Sequence, residues 1–384
     1  MYQRVPPFAV RRHRRGFLAT EGVLALDEWS ASIGVDGPAE ASGLEHRSAT
    51  TGSTIVPIDP LPAGTRRPRF SVMLPTFEPD HTFERALASV LAQAHVADDM
   101  QIAVVDDASR EVDVRRLIER IDVHGRVEFH PHRRRLGLGR NWNRALTLAR
   151  GELVHLLHQD DFVLPGFYAR MDRGFRAVPG VGMAFCRSRF VDGGDRCIRT
   201  ASRLQWTAGI LANWLPRIAE RQRVQTPSAV VPRATFERLG GFRIDLRQAL
   251  DWEMWVRIAA RYPVWYDPNV LAVYRRHDNS ESMRLLSSGA IWPDLIHTIA
   301  INAGSLPESL RVRVRQASAR WHAGSAIRTA EMQLAGGDYD AAATTLEHLP
   351  RLLELLPRAG DRSLPLRRAG ILQDRLRTAR RRAA

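Results

Sequence analysis

Two adjacent carboxylates stand just past the apolar run Leu153–Leu157, in the stretch ARGELVHLLHQDDFVLPGF that spans Ala149–Phe167. Pro165 and Gly166 follow Asp160 and Asp161 within a few residues. An apolar run of this length, bounded by turn residues, reads as a buried strand. In open α/β sheets, ligands bind just beyond the carboxyl ends of the strands. Acidic side chains delivered there can hold a divalent cation, and a cation can hold a diphosphate. The same pair could instead form an acidic turn that caps the next helix. These two residues alone leave both readings open.

Five more segments carry chemistry-bearing residues. Pro75, Thr76 and Phe77 end the strand-like FSVMLPT, and Asp106 and Asp107 end the next apolar run. Carboxylates there can accept hydrogen bonds from a nucleobase imide or ribose hydroxyls, or close an Asx turn. The loop Leu136–Arg144, LGLGRNWNR, has glycines that let backbone approach a ligand, Arg140 to reach phosphates, and Asn143 as a further polar contact. Ala249–Arg257, ALDWEMWVR, places Asp251 ahead of an amphipathic helix, either as its N-cap or as a proton acceptor. Tyr274–Ser282 adds His277 beside Arg275 and Arg276. Trp206, Trp214 and Arg223 could face a sugar acceptor, although packing is the commoner use of Trp.

The elements that must position these residues alternate. Strands are expected at Phe70–Thr76, Met100–Val105, Val127–His130, Leu153–Leu157 and Val181–Phe190. Helices are expected at Thr82–Ala94, Asp113–Ile121, Asn141–Arg150, Pro165–Val178, Arg233–Leu239 and Trp252–Tyr262. This alternation argues for a mostly parallel, Rossmann-like α/β sheet with helices on both faces. From Leu285 onward the periodicity is helical. Ala317–Leu334 and Tyr339–Leu346 flank the turn Gly336–Gly337–Asp338, like a single tetratricopeptide-type hairpin. Residues 1–69, with the basic cluster Arg11–Arg15, read as a partly disordered N-terminal extension with a short helix near Thr20–Ser30. Three segments result: 1–69, an α/β domain over 70–282, and a C-terminal helical region over 283–384.

The 384 residues leave ample room for a core, and 44% hydrophobic content is ordinary for a globular chain. The formal net charge is +14, and all 56 basic residues are Arg. Such a surface attracts phosphates and anionic lipid headgroups. No RNA-reading or zinc-finger motif is present, so no specific nucleic-acid partner is expected. No apolar stretch reaches membrane-spanning length; Ala290–Ala303 is broken by Asp294 and His297. The expected setting is cytoplasmic, with a peripheral contact at the inner face of an anionic membrane as a further expectation. Cys186 and Cys197 read as free thiols.

Taken together, SVMLPTFEP, VVDDAS, NWNRALTLARGELVHLLHQDD and ALDWEMWVRIA resemble the family 2 glycosyltransferases, from about Phe70 to Ser282. That resemblance implies a GT-A fold and an inverting, hexosyltransferase-like enzyme of polysaccharide or glycoconjugate biosynthesis. The donor would be a nucleoside-diphosphate sugar, UDP- or dTDP-linked by family habit. Pro75, Thr76, Phe77, Asp107, Arg140, Asn143 and Asp160 would contact it. Asp160, Asp161 and His277 would hold a divalent cation, Mn²⁺ or Mg²⁺, and Asp251 would be the general base. Asp106, His158, Glu253, Arg275 and Arg276 would lie around this set. One departure is His158, where the family often has an Asp two residues before the pair; an imidazole can bind Mn²⁺ or support a ligand from behind. A nucleotidyltransferase also places acids at strand ends. An inactive, Arg-rich binding or scaffold protein is the non-enzyme alternative.

Overall fold

In the computed structural model the described residues are 54–94, 100–277, 280–356 and 359–383. The cluster Arg11–Arg15 and the helix expected near Thr20–Ser30 lie outside them. Ten strands form one sheet: β1 (Phe70–Thr76), β2 (Met100–Asp106), β3 (Val127–Pro131), β4 (Leu153–Leu156), β5 (Phe162–Val163), β6 (Met183–Val191), β7 (Cys197–Thr200), β8 (Gly209–Ile210), β9 (Ala229–Pro232) and β10 (Val264–Arg275). Helices interleave: α1 (Thr82–Leu91), α2 (Val114–Ile121), α3 (Leu138–Leu148), α4 (Phe167–Ala177), α5 (Trp214–Glu220), α6 (Arg233–Leu239) and α7 (Leu250–Ala259). The C-terminal helices are α8 (Glu281–Ser287), α9 (Ile291–Gly304), α10 (Glu308–Ala335), α11 (Tyr339–Glu354) and α12 (Ala359–Ala383).

The spatial order is β3-β2-β1-β4-β9-β6-β10-β5. β3, β2, β1 and β4 pair in parallel; β9 is antiparallel to both β4 and β6, so β6 and its parallel neighbour β10 point the same way as β4. Every parallel strand therefore ends on the same edge. Thr76, Asp106, the residues after Leu156, and Arg275 all fall on that edge. This is where an open α/β sheet binds its ligands.

Period-two alternation sorts the strand residues between two cores. Met73, Ala103, Val105, Val154 and Leu156 face one, with α3 and α7. Val72, Leu74, Ile102, Val104 and Leu153 face the other, with α1 and α4. The first core runs without a break into α9–α12, so the C-terminal helices are packed onto the sheet domain. Residues before β1 also join it. Ile58 is buried there, and the Val56 carbonyl accepts from Gly241 N. Gly336–Asp338 turns α10 into α11, and Asp338 caps α11 by accepting from Ala341 N.

β10 is longer than any strand the sequence suggested. Pro268 and Asn269 form an irregularity inside the strand, with register shifts against β6 between Asp267 and Ala272. Bulges tolerate a proline that a regular ladder does not. α3 begins at Leu138, three residues before the expected start, because Gly137 at φ 84° enters it directly from the loop. No helix among the described residues is long and apolar enough to cross a membrane.

Candidate active site

The sheet edge gathers the expected residues into two adjoining halves. In the first, Asp106 holds the turn after β2: its carboxylate accepts from Thr76 Oγ1 (3.2 Å), Ser109 N (2.9 Å) and Ser109 Oγ (2.5 Å). Asp107 accepts from Leu136 N (2.6 Å) and Gly137 N (2.9 Å), which ties the glycine loop to the end of β2. Phe77 lies under the Arg135 guanidinium, 3.8 Å from ring centroid to Cζ. Gln159 pairs with the Phe77 backbone in both directions, at 2.8 and 3.2 Å, joining this half to the acidic turn.

The second half centres on the acidic turn. Asp161 is 1% exposed; one oxygen accepts from Arg275 N (2.8 Å), the other meets His158 Nδ1 (3.1 Å). Asp160 is more accessible and meets His277 Nε2 at 2.9 Å. The Arg275 guanidinium donates to the Asp160 carbonyl and pairs with Asp195. Burial and the neighbouring Asp160 charge push the Asp161 carboxyl up to about 6. The hydrogen bond to Asp160 raises His277 above the usual histidine range. Burial opposes a charge on His158, but its bond to Asp161 and the fields of Asp161, Asp160 and Asp251 overcome this and raise it. Each imidazole thus faces one carboxylate of the pair.

Asp251 sits in the first turn of α7. Its carboxylate accepts from Gln222 Nε2 (2.8 Å), Thr226 Oγ1 (3.2 Å) and Trp252 N (2.7 Å). Burial nevertheless pushes its carboxyl up to about 6, a favourable value for a proton acceptor near neutrality. The C-terminal region positions this helix. Asp294 of α9 accepts from three successive backbone N–H groups, Arg247, Gln248 and Ala249, each at 2.9 Å. His322 of α10 stacks on Trp252 at 5.2 Å, and Trp252 Nε1 donates to the Ile218 carbonyl. Asp294→Ala would leave three partly or fully buried N–H groups without their acceptor. We expect it to cost about 3 kcal/mol in urea unfolding and to lower turnover as the entry to α7 loosens. An unchanged unfolding midpoint would show that Asp294 does not hold this helix.

Other expected residues lie apart. Asn143 is buried, and both ends of its amide bond the Phe242 backbone (2.8 and 2.7 Å). Glu253 faces away from Asp251 and forms a bidentate pair with Arg257. Arg140 is exposed on α3, and Arg276 is exposed past β10 with an Nη2 contact to Met283 Sδ. Trp214 is 4% exposed in the core, whereas Trp206 is 82% exposed beside Arg203. Pro75 is buried within β1. Sequence reasoning missed Gln159, Gln222, Thr226 and the stack of His158 on Trp142 (4.9 Å). Gln159 stood inside the QDD motif, but nothing in RIAERQR marks Gln222.

The side chains fit a divalent cation. One donor atom from each of His158, Asp160 and Asp161 lies within 4.8 Å of the others. His158 Nε2 is buried without a hydrogen-bond partner. Two hard carboxylates with an imidazole suit Mn²⁺ or Mg²⁺ better than a thiophilic ion.

One sheet edge thus carries the acidic turn of His158, Asp160 and Asp161 and the hydrogen-bonded turn after β2, and the buried Asp251 carboxylate is held by Gln222 and Thr226. The chain belongs to glycosyl transferase family 2, whose family model matches residues 71–253. It is also similar to the uncharacterized protein MT1568 of Mycobacterium tuberculosis (strain CDC 1551 / Oshkosh), 31% identical over 248 residues, covering 62% of this chain and 74% of that one. Among solved structures, S. aureus TarS 1-349 in complex with UDP-GlcNAc aligns with TM-score 0.58 and 17% identity, over 81% of this chain and 90% of that one. The mannosyltransferase PcManGT from Pyrobaculum calidifontis, in complex with GDP-Man and Mn²⁺, aligns with TM-score 0.51 and 22% identity, over 84% and 88%. The protein is a glycosyltransferase of GT-A fold.

Proposed function

We propose that the protein is an inverting glycosyltransferase that moves a sugar from a nucleoside diphosphate to an acceptor hydroxyl. The observation that carries this reading is the acidic turn at the sheet edge, where one donor atom from each of His158, Asp160 and Asp161 lies within 4.8 Å of the others, with Asp251 held by Gln222 and Thr226 as the carboxylate that takes the proton. Thr76, Phe77, Asp107 and the loop it holds face the nucleoside end. Arg135 over Phe77 can extend that platform to a base by stacking. Asp160 and Asp161, with His158 or His277, would hold Mn²⁺ or Mg²⁺. When bound, the ion neutralises charge developing on the departing diphosphate.

The acceptor hydroxyl gives its proton to Asp251 while its oxygen forms a bond to the anomeric carbon. The bond from that carbon to the phosphate oxygen breaks, and its electron pair leaves with the nucleoside diphosphate. A single displacement inverts the anomeric centre. Gln222, Thr226 and Trp252 N hold the carboxylate in place for this transfer. His277 and Arg275 fix the acidic turn.

The TarS structure holds UDP-GlcNAc and the mannosyltransferase GDP-Man. We carry a nucleoside-diphosphate sugar over to this chain, with UDP- or dTDP-linked donors tested first. The same proposal places the enzyme in the cytoplasm. It also includes a peripheral contact with anionic lipid through α12, which exposes Leu366 and Ile371 among Arg367, Arg368 and Arg375. Flotation with anionic vesicles at low salt reads that contact.

A panel of nucleotide-sugars incubated with the protein and Mn²⁺ tests the main reading. Release of free nucleoside diphosphate, with an inverted anomeric configuration in the product, is the expected result. Pyrophosphate release would instead mean nucleotidyl transfer. No affinity for any nucleotide would mean a binding protein on the same fold.

A further inference from the structure

We infer that the acceptor carries an oxyanion, a phosphate or a carboxylate, and that Arg217, Arg221 and Arg223 receive it beside Asp251. This deepens the transferase reading and rests on it. The segment leaving α5 delivers Gln222 to Asp251. The Gln222 carbonyl oxygen accepts from Arg223 N (3.1 Å) and Val224 N (3.3 Å), so its amide nitrogen is the end that faces the carboxylate. Arg221 and Arg223 flank it and are held at a fixed offset from the base. Arg217 joins them, because its carbonyl accepts from Arg223 Nε at 2.7 Å.

Charge is unbalanced in this group. Its nearest carboxylate is Glu220, 3.4 Å from Arg223 Nη2. Arg217 lies 5.6 Å over Trp214 and Arg221 5.3 Å over Trp321 of α10, and neither pairs with a carboxylate among the described residues. The Arg223 side chain is 19% exposed. Burial together with the Arg221 charge works against its own charged form. Partly desolvated like charges are costly unless an anion joins them. Arg257, by contrast, is matched by Glu253. At the acidic turn Arg275 pairs with Asp195 and His277 with Asp160, while Arg276 contacts Met283 Sδ. Three arginines against one glutamate leave net positive charge on the segment that carries Gln222 to Asp251, the side where the acceptor hydroxyl must arrive. Guanidinium forks suit planar or tetrahedral oxyanions, and two of the three lie over indole rings.

Calorimetry separates the possibilities, with the donor pocket saturated by a nucleoside diphosphate and Mn²⁺. The probes are glucose 6-phosphate, glucuronate and neutral methyl glucoside. The proteins are the wild type, an Arg217→Gln/Arg221→Gln double variant and its Lys/Lys counterpart. We expect at least one charged probe to bind the wild type ten-fold or more tightly than methyl glucoside, with the preference shrinking as salt rises. The Gln pair should erase that preference and the Lys pair should keep most of it. Nucleotide affinity should stay level across all three and melting temperature should change little, since neither replaced side chain makes a hydrogen bond or ion pair among the described residues and each lies 5.3 Å or more from its indole centroid. Charged and neutral probes binding alike, or not at all, would overturn the inference, as would a preference that survives in the Gln pair. The nucleotide titration is read separately; a wild type that binds no nucleotide would remove the transferase reading and this inference with it.

Discussion

Asp251→Asn is expected to lower turnover about 10²–10⁴-fold, the usual contribution of a positioned general base, with nucleotide affinity unchanged. The variant keeps the shape of the side chain and removes only its ability to take the acceptor proton. The pH dependence should carry the same signature. Burial pushes the Asp251 carboxyl up to about 6, so kcat/KM of the wild type should climb through that pH as the base loses its proton. The residual activity of the variant should lack this limb. Stability gives an independent reading. A carboxyl raised from 3.8 to about 6 favours the fold when protonated. Its contribution is present below about pH 4 and is lost as pH rises through 6. At 1.36 kcal/mol per unit, unfolding free energy of the Asn variant relative to wild type should rise by roughly 2–3 kcal/mol between those limits. A parental rate in the variant, or parallel stability curves, would remove Asp251 from the proposed chemistry.

Much of this arrangement was readable from the chain because it is local. The apolar runs Phe70–Thr76, Met100–Asp106 and Leu153–Leu156 became parallel strands, and their terminal polar residues fell on one edge because parallel strands end together. What was not readable depends on distant partners. Asp294 looked like an interruption in an apolar helix, yet it anchors the entry to α7 from some 45 residues downstream. Asn143 stood in a promising loop, but a helix shows its neighbours alternate faces, and this one turns toward Phe242. Trp206 and Trp214 have the same side chain and nearly the same address. Only packing against Phe185 distinguishes the buried one. β10 was not marked at all: Pro268 interrupts its run, and the strand is made by pairing to β6 along its length with β8 and β5 at its two ends.

Asp160→Ala should separate the metal from the scaffold. Asp161 is the more buried of the pair, and both its oxygens are engaged, by Arg275 N and His158, so its removal would disturb β10 as well as any ligand. Asp160 offers its carboxylate at the surface of the turn; in the fold its side chain meets only His277, while its backbone carbonyl holds Arg275. Truncating it leaves the Arg275 contact in place, so the ligand-free protein should melt near the wild-type temperature. Ligand linkage then exposes the difference. A nucleoside diphosphate at 100 times its Kd stabilises a fold by about 2.7 kcal/mol. In the wild type that gain should require Mn²⁺ and vanish on chelation with EDTA. In Asp160→Ala the nucleotide should stabilise equally little with or without Mn²⁺, and turnover should fall about 10²–10³-fold as the leaving diphosphate loses its counter-charge. A variant that retained a Mn²⁺-dependent shift of wild-type size would mean that the ion is held elsewhere than the acidic turn.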